Sequence, residues 1–183
     1  MVEISTKRLD MRPPQMRDLD AIHTVLSNFE ISKFLSRVAH PFPKEDAAGW
    51  IERNSSAAVP ADTAFALFDK TGGFCGMASF DLDEETGTPE IGYYLDTPFW
   101  GLGLMSEAVS AALKWLFSKS DVQLVNSGAY TFNPASLAIQ YKLGFKDMRE
   151  ELRICEAQGE ELPIVVTQLQ RENFKPLEDR HDA

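Results

Sequence analysis

The sequence predicts an α/β (α+β) protein in which about four helices pack on the faces of a mixed, mostly antiparallel sheet of seven strands. Three observations predict this class. Strand-like segments follow one another between residues 63 and 95, a long amphipathic segment begins near residue 104, and two more strand-like segments come late in the chain. The 183 residues fit a single domain over residues 1–174 and a polar C-terminal tail over residues 175–183.

The first elements are a strand and two helices. Residues 4–12 predict an edge-type strand, which two prolines close. Asp18 predicts the N-cap of the first helix, and a proline followed by acidic residues predicts the start of a second helix over residues 43–51. The apolar residues at helical spacing in the first helix are Leu19, Ile22, Leu26 and Phe29.

The middle of the chain predicts an antiparallel meander and a long helix. Turn-forming residues separate strands over residues 63–68, 74–82 and 90–95. The helix after them has one apolar stripe, so we expect it to lie on the sheet. That stripe consists of Met105, Ala108, Val109, Ala112, Leu113, Leu116 and Phe117.

The remaining elements are a strand over residues 122–130, a helix and two strands. Gly144 is a natural C-cap for the helix. The two strands are predicted over residues 146–155 and 162–170, on either side of a glycine-containing turn.

The composition narrows the possible partners and the compartment. A formal net charge of -10 should repel nucleic acid and anionic membranes, and it favours basic partners. No apolar run approaches the roughly 18 residues that a membrane span needs, and the N-terminus lacks the apolar core of a secretory signal. We therefore expect a cytoplasmic protein without a membrane partner.

The two cysteines, Cys75 and Cys155, are far apart in apolar, strand-like contexts. This placement is typical of reduced thiols that pack in a core. The spacing of cysteine and histidine residues matches no metal-binding pattern, so no metal site is predicted.

Two glycines, Gly101 and Gly103, come immediately before the long helix in the stretch "FWGLGLMSEAV". Backbone N–H groups at a helix start are unpaired and carry partial positive charge, so the amides of residues 102–106 can form a cradle for a pyrophosphate. The alternative is a tight turn whose glycines serve only the packing of helix on sheet. The stretch is not a Rossmann turn, because it has no third glycine, and it is not a Walker loop, because it has no Gly-Lys-Ser/Thr.

The stretches "EIGYYLDTPFWGLGLMSEAV" and "NPASLAIQYKLGF" resemble the GNAT acetyltransferase superfamily, specifically its RimJ/RimL-type branch of protein N-terminal acetyltransferases. "STKRLDMRP", "FPKEDAAGWI" and "GEELPIVVTQLQRENF" look like the opening, second helix and closing strands of that branch. The resemblance covers about residues 6–174. It implies a GNAT fold that binds acetyl-coenzyme A where the strands before and after the long helix splay apart.

The resemblance also implies the contacts of the cofactor. Its pyrophosphate would lie on the glycine cradle, and its pantetheine arm would pair with the end of the strand that begins at Glu90. The implied contacts are Tyr94, Leu95, Asp96, Gly101, Leu102, Gly103, Leu104, Met105, Ser106, Asn133, Ser136 and Tyr141. Two positions depart from the superfamily pattern, which often has Gly or Ala in place of Met105 and Arg or Gln in place of Trp100.

Acetyl transfer to an amine needs a base for the amine and an acid for the leaving thiolate. Glu90 is the predicted base, because Gly92 leaves room beside it on the same strand face and the resemblance assigns its counterpart to ordering water. The alternative is a solvated carboxylate at a strand end. Ser136 is the predicted thiolate partner by resemblance, since Gln140 stands where many GNAT enzymes have a tyrosine. Asn133 and Ser136 could instead simply cap a helix.

The predicted function is acetyl-coenzyme A-dependent N-acetyl transfer to a primary amine, directly within a ternary complex. A protein N-terminus, including one of basic sequence, is the leading acceptor by resemblance; polyamines, amino acids and antibiotics are alternatives. The acidic stretch 81–85 could attract such a basic acceptor or be a solvated hairpin loop. A non-catalytic acyl-coenzyme A sensor and a purely structural interaction domain are the competing classes, and a homodimer would be an ordinary assembly.

Overall fold

The computed structural model describes residues 3–55, 59–83 and 85–177. Glu84 of the predicted acidic stretch and residues 178–183 of the predicted tail lie outside the described residues. Within these ranges the helices are α1 Leu19–Leu26, α2 Phe29–Ser32, α3 Lys44–Asn54, α4 Leu104–Lys119 and α5 Pro134–Leu143. The strands are β1 Ile4–Ser5, β2 Leu9–Arg12, β3 Thr63–Asp69, β4 Phe74–Leu82, β5 Pro89–Leu95, β6 Leu124–Tyr130, β7 Lys146–Cys155 and β8 Glu160–Gln170.

All eight strands form one sheet in the order β1-β2-β3-β4-β5-β6-β8-β7. Every neighbouring pair is antiparallel except β5 and β6, which are parallel. This arrangement confirms the predicted mixed, mostly antiparallel sheet and the meander from β3 to β5. No helix in the described part of the chain is long and apolar enough to cross a membrane.

The predicted single strand over residues 4–12 is wrong in detail, because those residues form a hairpin. Ile4 pairs with Met11 and Ser5 with Asp10. The hydroxyl of Thr6 accepts a hydrogen bond from the Leu9 amide at 3.0 Å, which closes the turn between β1 and β2. The hairpin adds an eighth strand to the seven that were predicted.

Asp18 occupies the predicted N-cap position of α1, but its side chain does not cap that helix. It instead accepts two hydrogen bonds from the Arg12 guanidinium, each at 2.8 Å, and one from the Gln15 amide at 2.8 Å. Asp18 therefore ties β2 to the start of α1 by an ion pair.

The sheet is covered on both faces, because residues 63–67 of β3 are all buried and successive side chains of a strand point in alternation to opposite faces. Phe65 and Leu67 pack in one core with α4, and Ala64 and Ala66 pack in a second core with α1 and α3. In β5 the same alternation sends Tyr93 towards α4 and Tyr94 towards α1 and α3. The two faces of β5 therefore border different spaces.

The strands β5 and β6 separate after a single paired position. Glu90 pairs with Asn126, and no later residue of β5 has a registered partner in β6. Helix α4 connects these two strands and starts at the open end of the gap between them. The structure thus contains the splayed slot that the resemblance implied.

Candidate active site

The loop before α4 needs glycine because of its backbone conformation. Gly101 and Gly103 both have φ of 73°, a left-handed conformation that other residues rarely adopt. A Cβ on Gly101 would meet no atom within 4 Å, and one on Gly103 would be 3.6 Å from the nearest atom, an ordinary contact. The glycines therefore shape the turn, and tight packing of helix on sheet does not explain them.

The turn leaves the N-terminal amides of α4 available. Gly103 occupies the N-cap position, and within the described residues no side chain accepts a hydrogen bond from the backbone amides of residues 101–106. Free amides at a helix N-terminus attract anions, because they are unpaired donors with partial positive charge. The loop has the properties of the predicted anion cradle.

A cavity of about 570 Å³ lies between β5, β6 and the start of α4, and we call it the glycine-loop cavity. Its walls come from the loop, from β5 and from α5. The predicted site residues that line it are Glu90, Tyr94, Leu95, Gly101, Gly103, Leu104, Met105, Ser106, Asn133 and Ser136.

A second cavity of about 710 Å³ lies on the side of β5 that faces α1 and α3, and we call it the acidic cavity. Its lining carries six carboxylates and only two guanidinium groups. The carboxylates are those of Glu45, Asp46, Asp62, Asp81, Glu90 and Glu156, and the guanidinium groups are those of Arg37 and Arg53. The two cavities share a wall formed by Leu35, Ser36, Glu90, Gly92, Tyr93 and Tyr94.

The edge of β5 that faces the gap offers one unused residue for backbone pairing. The Ile91 carbonyl accepts from the Ser127 hydroxyl and the Leu95 carbonyl from the Trp100 indole, each at 2.9 Å. Tyr93 lies between them, so its N–H and C=O point into the same gap, where β6 provides no partner. Sequence reasoning named Tyr94 to Asp96 for this pairing and missed Tyr93.

Ser136 belongs to a partly buried polar network. Its hydroxyl lies 3.0 Å from the Tyr93 hydroxyl and accepts from the Gln140 amide at 3.3 Å. The Gln140 amide also donates to the Tyr93 hydroxyl at 3.2 Å, and its carbonyl accepts from Thr167 at 2.6 Å. Burial raises the pKa of Tyr93, so its hydroxyl stays protonated. Gln140 and Tyr93 thus hold the Ser136 oxygen at the cavity wall.

The capping alternative holds for one of its two residues. The Asn133 side chain accepts from the Ser136 amide at 3.3 Å and so caps α5. The Ser136 hydroxyl makes no such cap, because its partners are Tyr93 and Gln140. Asn133 and Ser136 both line the glycine-loop cavity.

Glu90 stands in a group of charges at the shared wall. Its carboxylate accepts from Arg153 at 3.0 Å, and the same guanidinium donates to Glu151 at 3.0 Å. Asp81 lies opposite Glu90 across the β4–β5 pair. Burial raises the pKa of Asp81, and the negative charges of Asp62 and Glu90 add to that rise while Arg37 opposes it. Glu90 is therefore an ion-paired, partly exposed carboxylate near the start of β5.

Three predicted cofactor contacts do not line the glycine-loop cavity: Asp96, Leu102 and Tyr141. Asp96 caps the turn that follows β5 by accepting from the Thr97 amide at 2.7 Å. Tyr141 is 44% exposed, and a hydrogen bond with Asp147 raises its pKa. Tyr141 is therefore turned away from the space that Ser136 borders.

The hydroxyl of Tyr94 is buried and has no hydrogen-bond partner among the described residues. Burial raises the pKa of this group, so it remains a neutral donor. Tyr94 lines both cavities, and it is a wall residue with an unused donor.

Comparison with known proteins identifies the class. A sequence model of the family described as "Acetyltransferase (GNAT) domain" matches residues 8–146. The chain belongs to this family: it is an N-acetyltransferase, and acetyl-coenzyme A is its acyl donor. The free amides of the glycine loop and the unpaired edge of β5 fit the phosphates and the pantetheine arm of that donor.

The individual proteins that resemble this chain share only a small part of its sequence. An SPbeta prophage-derived uncharacterized N-acetyltransferase of Bacillus subtilis is 26% identical over 149 residues, which are 80% of this chain and 81% of the relative. A spermidine N-acetyltransferase from Vibrio cholerae, solved with coenzyme A and spermine, has a TM-score of 0.78 at 14% identity over 92% of this chain and 98% of its own. An acetyltransferase from Salmonella typhimurium that modifies the N-terminal serine of ribosomal subunit protein L7/L12 has a TM-score of 0.77 at 19% identity over 92% and 99%.

Proposed function

We propose that this N-acetyltransferase acetylates the α-amine of a protein N-terminus, as enzymes of the RimJ/RimL-type branch do. The observation that carries the proposal is the shared wall at Glu90, Gly92 and Tyr94, where the glycine-loop cavity meets the acidic cavity. A Cβ on Gly92 would meet no atom within 4 Å, so the wall leaves open space beside Glu90. An amine held there reaches the end of a pantetheine arm that lies along Tyr93.

The base at this wall suits a weakly basic amine. Glu90 accepts the first proton of the ammonium group through a water molecule and passes it to solvent. A carboxylate is a weak base, and an α-amine has a pKa near 7.7–8.0 against about 10.4 for lysine. Deprotonating lysine at neutral pH would cost roughly 3.5 kcal/mol more.

Acetyl-coenzyme A supplies the acetyl group as a thioester. The amine nitrogen forms a bond to the acetyl carbon, and the bond between carbon and sulfur breaks. Ser136 donates its hydroxyl proton to the departing sulfur while Gln140 and Tyr93 hold its oxygen. The second proton released by the nitrogen replaces the serine proton through solvent, so one proton leaves in total.

The cysteines support direct transfer to the amine. Cys75 and Cys155 are both buried, and neither lines either cavity. Burial raises the pKa of Cys75 to about 11, so its thiol is a poor nucleophile. An acyl-enzyme on either residue would require the core to open.

The acidic cavity supports a positively charged acceptor that is larger than one amine. Its carboxylates exceed its guanidinium groups by four, six against two, so basic residues behind the reacting amine would be attracted. The same surplus favours a polyamine as the second candidate acceptor, and a structural neighbour is a spermidine N-acetyltransferase. The Salmonella neighbour that modifies an N-terminal serine supports the first candidate.

The test is an acceptor panel with acetyl-coenzyme A at saturation and thiol release as the signal. The panel contains a basic peptide with a free N-terminus, the same peptide with its N-terminus blocked and one lysine kept, and spermidine. We expect kcat/KM for the free N-terminus to exceed both others by at least about tenfold. Preference for spermidine or for the blocked peptide would overturn the proposal, and turnover of none with intact cofactor binding would favour the sensor.

A further inference from the structure

Arg8, in the turn between β1 and β2, holds the glycine loop from outside. Its Nη1 donates to the Leu102 carbonyl at 2.6 Å, and its Nε donates to Glu107 in the first turn of α4 at 2.7 Å. The Arg8 backbone amide donates to the other oxygen of the Glu107 carboxylate at 2.9 Å. Three hydrogen bonds therefore join the N-terminal hairpin to the start of α4.

The contact with Leu102 fixes the direction of the next amide. In a trans peptide the C=O and the following N–H point in opposite directions, so the Gly103 N–H points away from Arg8. Arg8 and Leu102 do not line the glycine-loop cavity, whereas Gly103 does. Arg8 thus turns the Leu102–Gly103 peptide so that its donor faces the cavity.

Arg8 also balances a charge that would oppose phosphate. Burial by itself would raise the pKa of Glu107. Hydrogen bonds from Thr6 and Arg8 lower this pKa by more than burial raises it, so the pKa lies below its usual range. Glu107 is therefore anionic beside an anion site. Arg8 is a cation that hydrogen-bonds directly to the loop of residues 100–106 through the Leu102 carbonyl, and the Trp100 indole is already bound to Leu95.

We propose that Arg8 is a positioning residue for the pyrophosphate of acetyl-coenzyme A: it aims the Gly103 amide into the cavity and neutralises Glu107. The proposal rests on the cofactor site and not on the choice of acceptor, so either can fail without the other. Arg8 acts on the cofactor through the loop and not on the acceptor. Loss of Arg8 should therefore weaken the binding of phosphate-containing ligands and leave the rate of the chemical step unchanged.

The test is calorimetric titration of wild type and Arg8→Gln with coenzyme A, ADP and pantetheine. We expect about tenfold weaker binding of coenzyme A and ADP, the loss typical of one hydrogen bond involving a charged group, and unchanged binding of pantetheine. With acetyl-coenzyme A, KM should rise by a similar factor at unchanged kcat. Equal affinities of the two proteins for ADP would overturn the proposal.

Lys70→Gln is the matched control. Lys70 braces the same hairpin through Ser5, Asp10 and the Leu9 carbonyl without touching the glycine loop. We expect it to leave ADP affinity unchanged. An equal loss in Lys70→Gln would mean that loosening the hairpin is the cause, and it would overturn the specific role of Arg8.

A second variant guards against misfolding. Arg8→Lys keeps the charge and removes the fork that joins Leu102 to Glu107. We expect its loss of ADP affinity to be smaller than in Arg8→Gln, with faster hydrogen exchange at the Gly103 amide in the free protein. Unchanged exchange and unchanged affinity in Arg8→Lys would contradict the positioning role.

Discussion

The two cavities that meet at β5 are built in different ways. The anion cradle of the glycine-loop cavity lies in one continuous segment, in which Gly101 and Gly103 adopt left-handed backbone and the first amides of α4 follow directly. The acidic cavity draws its carboxylates from α3, the segment before β3, β4, β5 and the turn after β7. A local motif can therefore specify the anion cradle, whereas the proposed acceptor site forms only once distant segments fold together.

The largest effect should come from Gly103→Val, which tests the local character of the donor site. A β-branched residue is strained at φ of 73° and would distort the amides before α4. We expect coenzyme A affinity to fall by about a hundredfold or more, measured by calorimetry.

Gly159→Val is the control for Gly103→Val. Gly159 has φ of 70° and open space around its missing side chain, so the strain is similar but lies in the turn between β7 and β8. We expect its coenzyme A affinity to match wild type. A comparable loss in both variants would assign the effect to stability.

The next effect should come from Ser136→Ala at the border of the glycine-loop cavity. Removing an acid that protonates a leaving group costs about a hundredfold in rate or more, so kcat should fall by that factor. The affinity for coenzyme A, measured by calorimetry, should change little. Ser118→Ala on the exposed side of α4 is the control, and an unchanged kcat in Ser136→Ala would remove Ser136 from the mechanism.

Glu90→Gln should lower turnover at neutral pH by about tenfold or more, because it removes the proton acceptor at the shared wall. Cofactor affinity should stay close to wild type. Glu151→Gln is the matched control, since Glu151 is the second partner of Arg153 and lines neither cavity. Equal rates for Glu90→Gln and wild type at every pH measured would refute the role of Glu90 as base.

The smallest effect on activity should come from Asp81→Asn in the acidic cavity. Loss of one partly exposed charge should raise KM for a basic acceptor by about fivefold, with coenzyme A affinity unchanged. An unaltered KM would mean that Asp81 does not attract the acceptor.

Asp81→Asn should raise the thermal stability of the protein at neutral pH, although it weakens the use of a basic acceptor. The folded-state pKa of Asp81 is raised above its unfolded value, so ionisation of this carboxyl opposes folding. Its contribution to stability is complete below the ordinary aspartate pKa and is lost as the pH rises through the folded pKa. We expect Asp81→Asn to melt above wild type at neutral pH, and the difference to vanish in acid.

Much of the fold follows from local patterns in the sequence. Strand-like segments separated by turn-forming residues predict β3 to β5, and the single apolar stripe predicts α4. The exceptions have local causes. A side-chain hydrogen bond of Thr6 folds residues 4–12 into a hairpin, and α2 has four residues, too few to show a helical period.

The site is predictable to a smaller extent, because its decisive contacts join distant parts of the chain. The glycine cradle and Ser136 lie in recognisable motifs, and both line the glycine-loop cavity. The pairs Glu90–Arg153 and Arg8–Glu107 span 63 and 99 residues. A single sequence carries no signal for such pairs. For the same reason the sequence allows Asp81 to be interpreted as part of a solvated loop, although it lines the acidic cavity.

The most direct test of the account is calorimetric titration of the protein with acetyl-coenzyme A and, separately, with desulfo-coenzyme A. We expect similar, micromolar binding of both, because the proposed contacts join the loop amides to the phosphates and the edge of β5 to the pantetheine arm, and none of them involves the thioester. Failure of both ligands to bind would contradict the proposed cofactor site. The glycine turn would then serve only to connect β5 with α4.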